Sequence, residues 1–516
     1  MNAVHPETLK VPLSALPGAV TAWRGLIDVE RLGAVCDAAA KEGARLAALW
    51  GTEDLEETAG LRLHIALADE DALIWLQVRL AHEATYPDLS GIFPNAARMQ
   101  RAAFDLLGIR STADDQRKWL RHGAWPADSF PLRDDFSDPN AFVPQPDSYP
   151  FVRVEGEGVH EIAVGPVHAG TIEPGHFRFS VVGEQVLRLE QRLGYKHKGI
   201  ERLFRGMTFT DGARLAGRIS GDSTVAYAWA YAMAVEGLAG ITPPARALWL
   251  RALMLERERI ANHLGDLGAL GNDGGFAFGL SQFMRLKETV LRLNARLLGH
   301  RMLMDLIVPG GVARDLDRGA LEQILEQGAA IEHELHALRN IYEEHAGLQD
   351  RFLSCGMLTS ATARKLGVSG LVARGSGLAR DVRSSPGFAP YDVLDVQVAT
   401  RPRGDVAARV LVRFDEVHES LRLITGIADR IAPGEVQVPC NMPAEPGTGI
   451  GWVEGWRGDI VLAVETSREG RIRNCHAHDP SWQNWPALEH AVIGNIVPDF
   501  PLINKSFNLS YSGQDL

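Results

Sequence analysis

Four stretches of the chain repeat apolar residues at helical spacing. Trp249, Leu253, Ile260, Leu264 and Leu267 fall at intervals of 4, 7, 4 and 3, which puts them on one face of a helix. Phe283, Leu286, Val290, Leu293 and Leu297 do the same, as do Leu321, Ile324, Ile331, Leu335, Leu338 and Tyr342. The run "VAYAWAYAMAVEGL" (225–238) adds a fourth long amphipathic helix, better read as buried than as membrane-spanning. Each stripe must be covered, so the four predict a bundle. Elsewhere the period shortens. "AALWG" and "LRLHIAL" read as short strands and "MQRAAFDLLGI" as an amphipathic helix. "FVRVEGEGVHEIAVGPV" (151–167) and "HFRFSVVGEQVLRLEQRLGY" (176–195) alternate as strands do, and "WVEGWRGDIVLAVE" (452–465) reads as a hairpin. Between the first mixed segment and the rest lies "SDPNAFVPQPDSYP" (137–150), rich in Pro, Asp and Ser and without period, which reads as a linker.

This pattern predicts a multidomain α+β protein. A small α/β domain would span residues 1–136, a linker 137–150, and a larger domain 151–516 with a long-helix core and flanking β lobes. At 516 residues, more than one domain is the expectation. The longest apolar run is too short to span a bilayer, and the N-terminus lacks a basic start before an apolar core, so neither a membrane span nor a signal peptide is expected. A net charge of −12 argues against a nucleic-acid partner. The four cysteines, Cys36, Cys355, Cys440 and Cys475, are scattered and none forms C-x-x-C. That opposes a disulfide framework and a cysteine-ligated iron–sulfur or zinc centre in this chain, and it fits a reducing compartment. No dinucleotide or Walker fingerprint occurs, so nicotinamide chemistry would belong to another subunit.

Several motifs recur in one order: "GPVHAGTIEPGHFRF" (165–179), "YKHKGIERL" (195–203), "ERERIANHL" (256–264), "VPGGVARDL" (308–316), "GVSGLVARGSGLARDVR" (367–383), "YDV" (391–393) and "GDVAARVLVRFDEVHESLRLI" (404–424). Together they resemble the large subunit of membrane-bound nickel–iron hydrogenases of the hydrogenase-4 and formate hydrogenlyase type. They resemble equally its relative, the quinone-site subunit of respiratory complex I. "YPDLSGIFPNAARMQRAAFDLLGI" (86–109) and "FPLRDDF" (130–136) are similar to another complex I protein, one fused to the large subunit in several such hydrogenases. Ala102 and Ala103 stand where that family often has an acidic residue.

In the hydrogenase branch, R-x-C-G-x-C and D-P-C-x-x-C supply four thiolates to nickel and iron, because soft deprotonated sulfur suits those metals. Here the same frames read Arg218-Ile219-Ser220-Gly221-Asp222-Ser223 and Asn508-Leu509-Ser510-Tyr511-Ser512-Gly513. Hydroxyl oxygen and hydrogen replace all four sulfurs, so no metal is expected. The resemblance implies a vacated cavity lined by Ser220, Gly221, Asp222, Ser223, Tyr227, Ser510, Tyr511 and Gly513. The complex I branch binds a quinone head-group there with a Tyr and a His. In this chain the Tyr position falls on Gly221, while His168 fits the His of "GPxHP", and Tyr227 or Tyr511 could supply a phenol from another direction.

His168 has an ordinary pKa near neutrality and could pass a proton to a reduced quinone; the plain alternative is a loop histidine bonded to carbonyls. Glu173 fits the hydrogenase glutamate that moves protons beside the metal, against a simple turn residue. Arg457 matches a basic residue facing the cavity and would need an anion, with Asp459, Asp222 and Glu454 as candidates. Asp222 could instead cap the following helix, and the serines could simply plug a dead site. His197, Lys198 and Glu201 would face a partner. Glu256, Arg259 and His263, spaced along one helix face, read as a solvated or interfacial salt-bridge row.

The resemblance therefore implies an oxidoreductase subunit, inactive alone, in a complex held on the cytoplasmic face of the cytoplasmic membrane. No cofactor is expected on this chain. A small partner, like the cluster-bearing protein of complex I, would carry the terminal iron–sulfur cluster, and other peripheral-arm and antiporter-like membrane subunits would complete the assembly. The cavity would reduce a quinone or related acceptor, coupled to ion translocation. The alternative is an inactive scaffold, and an active hydrogenase is opposed by the missing thiolates.

Overall fold

The computed structural model describes residues 9–54, 60–81, 85–136, 145–146, 148–169, 172–443 and 445–516. Most of the expected linker lies outside these residues. The N-terminal domain is a five-stranded sheet of β1 (Ser14–Leu16), β2 (Ala22–Ile27), β3 (Arg45–Asp54), β4 (Gly60–Ala68) and β5 (Leu73–Ala81), in the order β1-β2-β5-β4-β3. Only the β2/β5 pair is parallel, and the crossover between them contains helix α1 (Val29–Lys41), which buries Leu32, Val35, Cys36 and Ala39. Helix α2 (Ala96–Leu107) covers β3. Gly51 permits that approach: a Cβ there would lie 2.5 Å from Ile109 Cδ1 and 2.8 Å from Leu107 Cδ1.

The second domain begins with an antiparallel sheet of β6 (Val159–Val164), β7 (His176–Val182) and β8 (Gln185–Arg192). The alternating stretch from residue 151 is therefore strand only in its second half. The four expected helices are present: α3 (Thr224–Ala239), α4 (Ala245–Asp273), α5 (Ala277–Leu298) and α6 (Arg318–Glu344). A fifth, α7 (Val406–Ala428), packs on α4 and α6. A hairpin, β9 (Thr448–Glu454) and β10 (Asp459–Thr466), continues into β11 (Ile472–His478). Helices α8 (Ser481–Ala491), α9 (Phe500–Phe507) and α10 (Tyr511–Asp515) follow.

The alanines of α3 have a clear purpose. Strand β9 crosses the helix at backbone distance, so a Cβ on Gly451 would sit 1.9 Å from the Ala230 carbonyl oxygen and one on Gly449 2.0 Å from that of Ala234. Small residues at four-residue spacing make the groove, and glycines fill it.

Helix α4 corrects one expectation. Glu256, Arg259 and His263 are not a solvated row; each is 0% exposed. The helix is covered on every side because other elements bring matching charges: Arg383 to Glu256, and Glu416 to both Arg259 and His263. Buried charges persist when paired and hydrogen-bonded in this way.

The two domains are joined by polar side chains and stacked rings. Trp50 lies flat between His64 of its own sheet (4.9 Å) and His476 of β11 (4.6 Å). Arg98 pairs with Glu489 at 2.6 Å, Arg117 with Glu190 at 2.5 Å, and Arg45 with Asp459.

Candidate functional site

Ser220 and Ser510 come from opposite ends of the large domain and meet, with their hydroxyl oxygens 2.9 Å apart. Ser220 precedes the short turn Gly221–Ser223 that leads into α3. Ser510 caps α10, its Oγ accepting from the Gly513 N–H at 2.9 Å. The Ser510 N–H in turn donates to Ser481 Oγ at 2.9 Å. Both hydroxyls are therefore fixed by local chain geometry.

Ser220 Oγ also donates to Asp222 Oδ1 at 2.8 Å. Asp222 is the anion that Arg457 requires: Nη1 donates to Oδ1 at 2.9 Å and Nη2 to Oδ2 at 2.5 Å. Arg457 lies in the β9–β10 turn, over the ring of Trp456 at 4.0 Å, and its Nε donates to the Asn508 carbonyl at 2.5 Å. Its Nη1 also reaches Ser223 Oγ at 3.4 Å. Burial alone would raise the Asp222 carboxyl; the Arg457 guanidinium outweighs it and holds the group below its ordinary value. Asp222 does not cap α3. That work falls to Glu258 of α4, which accepts the Val225 N–H at 2.7 Å and the Ala226 N–H at 3.3 Å.

Tyr227 is fully buried and donates to Asp479 Oδ2 at 2.6 Å. Burial raises its pKa well above that of an ordinary phenol, with the Asp479 carboxylate adding to the effect. This phenol is committed to Asp479. Gly513 stands against the same carboxylate: a Cβ there would lie 2.3 Å from Asp479 Oδ2 and 2.9 Å from Ser510 Oγ.

These contacts decide whether a nickel–iron centre fits. Two of its four ligand positions hold hydroxyls bonded to each other, a third lies beside the Arg457 guanidinium, and the fourth is a glycine packed against the Asp479 carboxylate. The donors are hard and the space between them is closed, so the residues do not fit the group. Among the described residues no cluster of three or more His, Cys, Asp or Glu is arranged to hold a metal ion. Metal analysis of the purified assembly is expected to find nickel far below one per copy of this chain.

A second constellation lies beside Ser510. His168 Nε2 is 3.2 Å from the Tyr511 hydroxyl. The His168 ring stands edge-on to Phe177 at 5.4 Å, and the Tyr511 ring packs on Trp485 at 4.9 Å. Gly175 leaves room for Tyr511, since a Cβ there would meet its Cε1 at 2.6 Å. Burial lowers the His168 pKa and raises that of Tyr511, so near neutral pH the imidazole is uncharged and the phenol keeps its proton. His168 is half-buried, and its neighbour Val167 is 81% exposed, so the pair lies close beneath the surface. Glu173 belongs to the same loop and accepts the Ser512 N–H at 3.0 Å, which ties the loop to α10.

The remaining expected residues are engaged within the chain. His197 Nδ1 bonds the Asp515 carbonyl at 2.8 Å, Lys198 Nζ donates to the Ile219 carbonyl at 2.7 Å, and Glu201 pairs with His476 at 2.6 Å. They brace α10 and the approach to Ser220. Reasoning from sequence missed Asp479, Asp266 and Glu258. Asp266 binds Arg413 at 2.8 Å and Asn508 Nδ2 at 2.7 Å, linking α4 and α7 to the Arg457 cluster. Asp479 lies between β11 and α8, and Glu258 and Asp266 sit on α4 among other charged residues, so no local pattern singles them out.

Glu258 yields a pH prediction. Burial raises its pKa from 4.5 to about 8, and the two backbone donors lower it only in part. Between those values it is protonated in the fold and ionised in the unfolded chain, so stability declines as pH rises through that window. Glu258→Gln is expected to flatten the decline and to exceed wild-type stability at about pH 9 by on the order of 3 kcal/mol. Denaturant melts between about pH 5 and 9 would read this, and a wild-type slope in the variant would refute it.

Comparison with known proteins matches residues 26–141 to the family model of the respiratory-chain NADH dehydrogenase 30 Kd subunit and residues 273–445 to that of the 49 Kd subunit. Formate hydrogenlyase subunit 5 of Escherichia coli (strain K12) is 30% identical over 485 residues, covering 92% of this chain and 85% of that one. An NADH-quinone oxidoreductase subunit of Sinorhizobium medicae (strain WSM419) is 34% identical over 299 residues, covering 57% and 74%. A chain of the membrane-bound sulfane sulfur reductase, an archaeal respiratory membrane complex, superposes with a TM-score of 0.66 at 26% identity, over 70% of this chain and 99% of that one.

Proposed function

This chain belongs to the family of formate hydrogenlyase and hydrogenase-4 large subunits and the complex I 49 Kd protein, fused to a domain of the 30 Kd kind, and from that premise we propose that it is a metal-free member whose acceptor site is the His168–Tyr511 pair. The acceptor is of the quinone class. Reduction of a quinone to its quinol takes two electrons and two protons. The electrons come from the iron–sulfur cluster of a partner protein lying against this chain. The Tyr511 hydroxyl gives one proton to one carbonyl oxygen as charge develops there, neutral His168 passes a proton from the surface to restore the phenol, and the other carbonyl oxygen takes its proton from water. The observation that carries this reading is the 3.2 Å contact between a protonated phenol and an uncharged imidazole close beneath the surface.

In this reading Asp222, Arg457, Ser220, Ser223 and Ser510 fill the former metal volume and hold α3, α10 and the β9–β10 turn in place. Domain limits of 1–136 and 151–516 follow the same premise, as do seating against membrane subunits on the cytoplasmic side and coupling to ion movement. No described helix is long and apolar enough to cross a membrane, so such seating would be peripheral. The closed Ser220–Ser510 contact supports a second reading, in which the chain is a scaffold without a ligand. Acceptor reduction by the assembled complex separates the two. Short-chain quinone and a sulfane-sulfur compound are offered in turn, with wild type, His168→Ala and Tyr511→Phe. Loss of quinone turnover in both variants supports the acceptor site; unchanged turnover supports the scaffold.

A further inference from the structure

The junction between the two domains encloses a cleft of about 180 Å³ that the acceptor site does not use. Residues 42, 43, 45 and 68–70 wall it from the N-terminal domain, and residues 369–370, 379–382 and 385 with Trp452, Glu454 and Asp459 wall it from the other. The interior carboxylates already have partners. Asp459 is held by Arg45 and the Trp452 indole, Glu454 by Arg374, and Asp381 by Arg383.

The two guanidinium groups in the lining are not satisfied in the same way. Arg45 turns Nη2 to Asp459 but leaves Nη1 buried without a hydrogen-bond partner. Among the described residues Arg380 has no ion-pair partner within 4.0 Å, and its Nη1 is likewise buried and unpartnered. Burial first, and then the nearby charges of Arg45 and Arg364, lower the Arg380 pKa to about 10, with Asp459 and Glu70 opposing the shift only in part. A buried donor without an acceptor is costly, and native interiors tolerate few. Here two such donors, on like-charged neighbours from different domains, line one cleft.

The geometry points to an anion site: we propose that this cleft binds one small oxyanion, of the phosphate, sulfate or carboxylate kind, bridging Arg45 and Arg380 across the domain junction. The guanidinium fork matches the oxygen spacing of such ions and makes strong charge-assisted hydrogen bonds. Glu42, Asp69 and Glu70 stand in the same wall and oppose any anion, so binding rests on the two guanidinium groups. The bound ion satisfies both orphan donors and ties the two domains together.

Isothermal titration of the full-length chain with phosphate, sulfate and acetate separately, against chloride at matched ionic strength, tests this and distinguishes tetrahedral from carboxylate ligands. At least one anion is expected to bind with a stoichiometry near one, and Arg380→Gln is expected to weaken it on the order of ten-fold or more. Thermal melts provide a second reading. Arg380→Leu in chloride alone is expected to melt at or above the wild-type temperature, because it removes an unpaired charge, and to lose the anion-dependent rise. Absence of binding by all three anions, an unchanged affinity in Arg380→Gln, or a clear fall in the chloride melt of Arg380→Leu would each overturn the proposal.

Discussion

Replacing His168 with Ala in the assembled complex is expected to lower quinone turnover by about 10²–10⁴-fold, the usual weight of one positioned proton-transfer group. Tyr511→Phe should fall within the same range while keeping the ring against Trp485 at 4.9 Å, so its loss reports the hydroxyl alone. His168→Gln preserves a hydrogen bond to Tyr511 without a titratable ring. Turnover that stays low in His168→Gln assigns the defect to proton relay, and recovery would assign it to positioning. The pH profile adds an independent mark. Burial places the His168 pKa below 6.5, so the acid limb of kcat should begin below that value and disappear in His168→Gln. A profile flat in wild type, or turnover unaffected by all three substitutions, would remove the His168–Tyr511 pair from the chemistry.

Much of this arrangement was legible in the sequence. The stripes of α4, α5 and α6 follow from spacing, because each must be covered on one side. Helix α7 is harder to read: Arg409, Arg413 and Glu416 lie on it fully or nearly buried, and a helix whose buried face carries charges has no clean apolar period. The same blindness explains the misreading of Glu256, Arg259 and His263. Spacing shows that charges share a face, but not whether another element brings counter-charges to it. The sequence also left three candidate anions for Arg457. Asp222 holds it because the Gly221–Ser223 turn brings that carboxylate beneath the β9–β10 hairpin, a tertiary fact no local pattern carries. Tyr511 reaches His168 for a similar reason, since a side chain near residue 511 meets one near 168 only when α10 docks on α8 beside Gly175.

The buried charges around α4 carry the largest stability effect expected here. Arg383 donates to both Glu256 oxygens at 3.0 Å and to Asp381 at 2.6 Å. Tyr391 and Ser420 complete the shell of Glu256 at 2.5 and 2.6 Å. Next to this group, Arg374 binds Glu416 at 2.6 Å and Glu454 at 2.7 Å. Counted by residue, three arginines (259, 374 and 383) face four acids (256, 381, 416 and 454), and burial together with Asp381 raises Glu454 to about 7. The cluster has no spare positive charge. Arg383→Met would leave Glu256 and Asp381 short of their main counter-ion in a dry interior, at a cost of about 3–5 kcal/mol. For a chain of 516 residues that corresponds to a fall in Tm of about 3–5 °C. Added salt should not rescue it, because screening acts weakly on buried pairs. Combining Arg383→Met with Glu256→Gln should recover part of the loss, because the stranded charge is removed with its partner. A single variant within about 1 kcal/mol of wild type would mean that the network relaxes or admits water, and the tight packing of α4 against α7 would then need another cause.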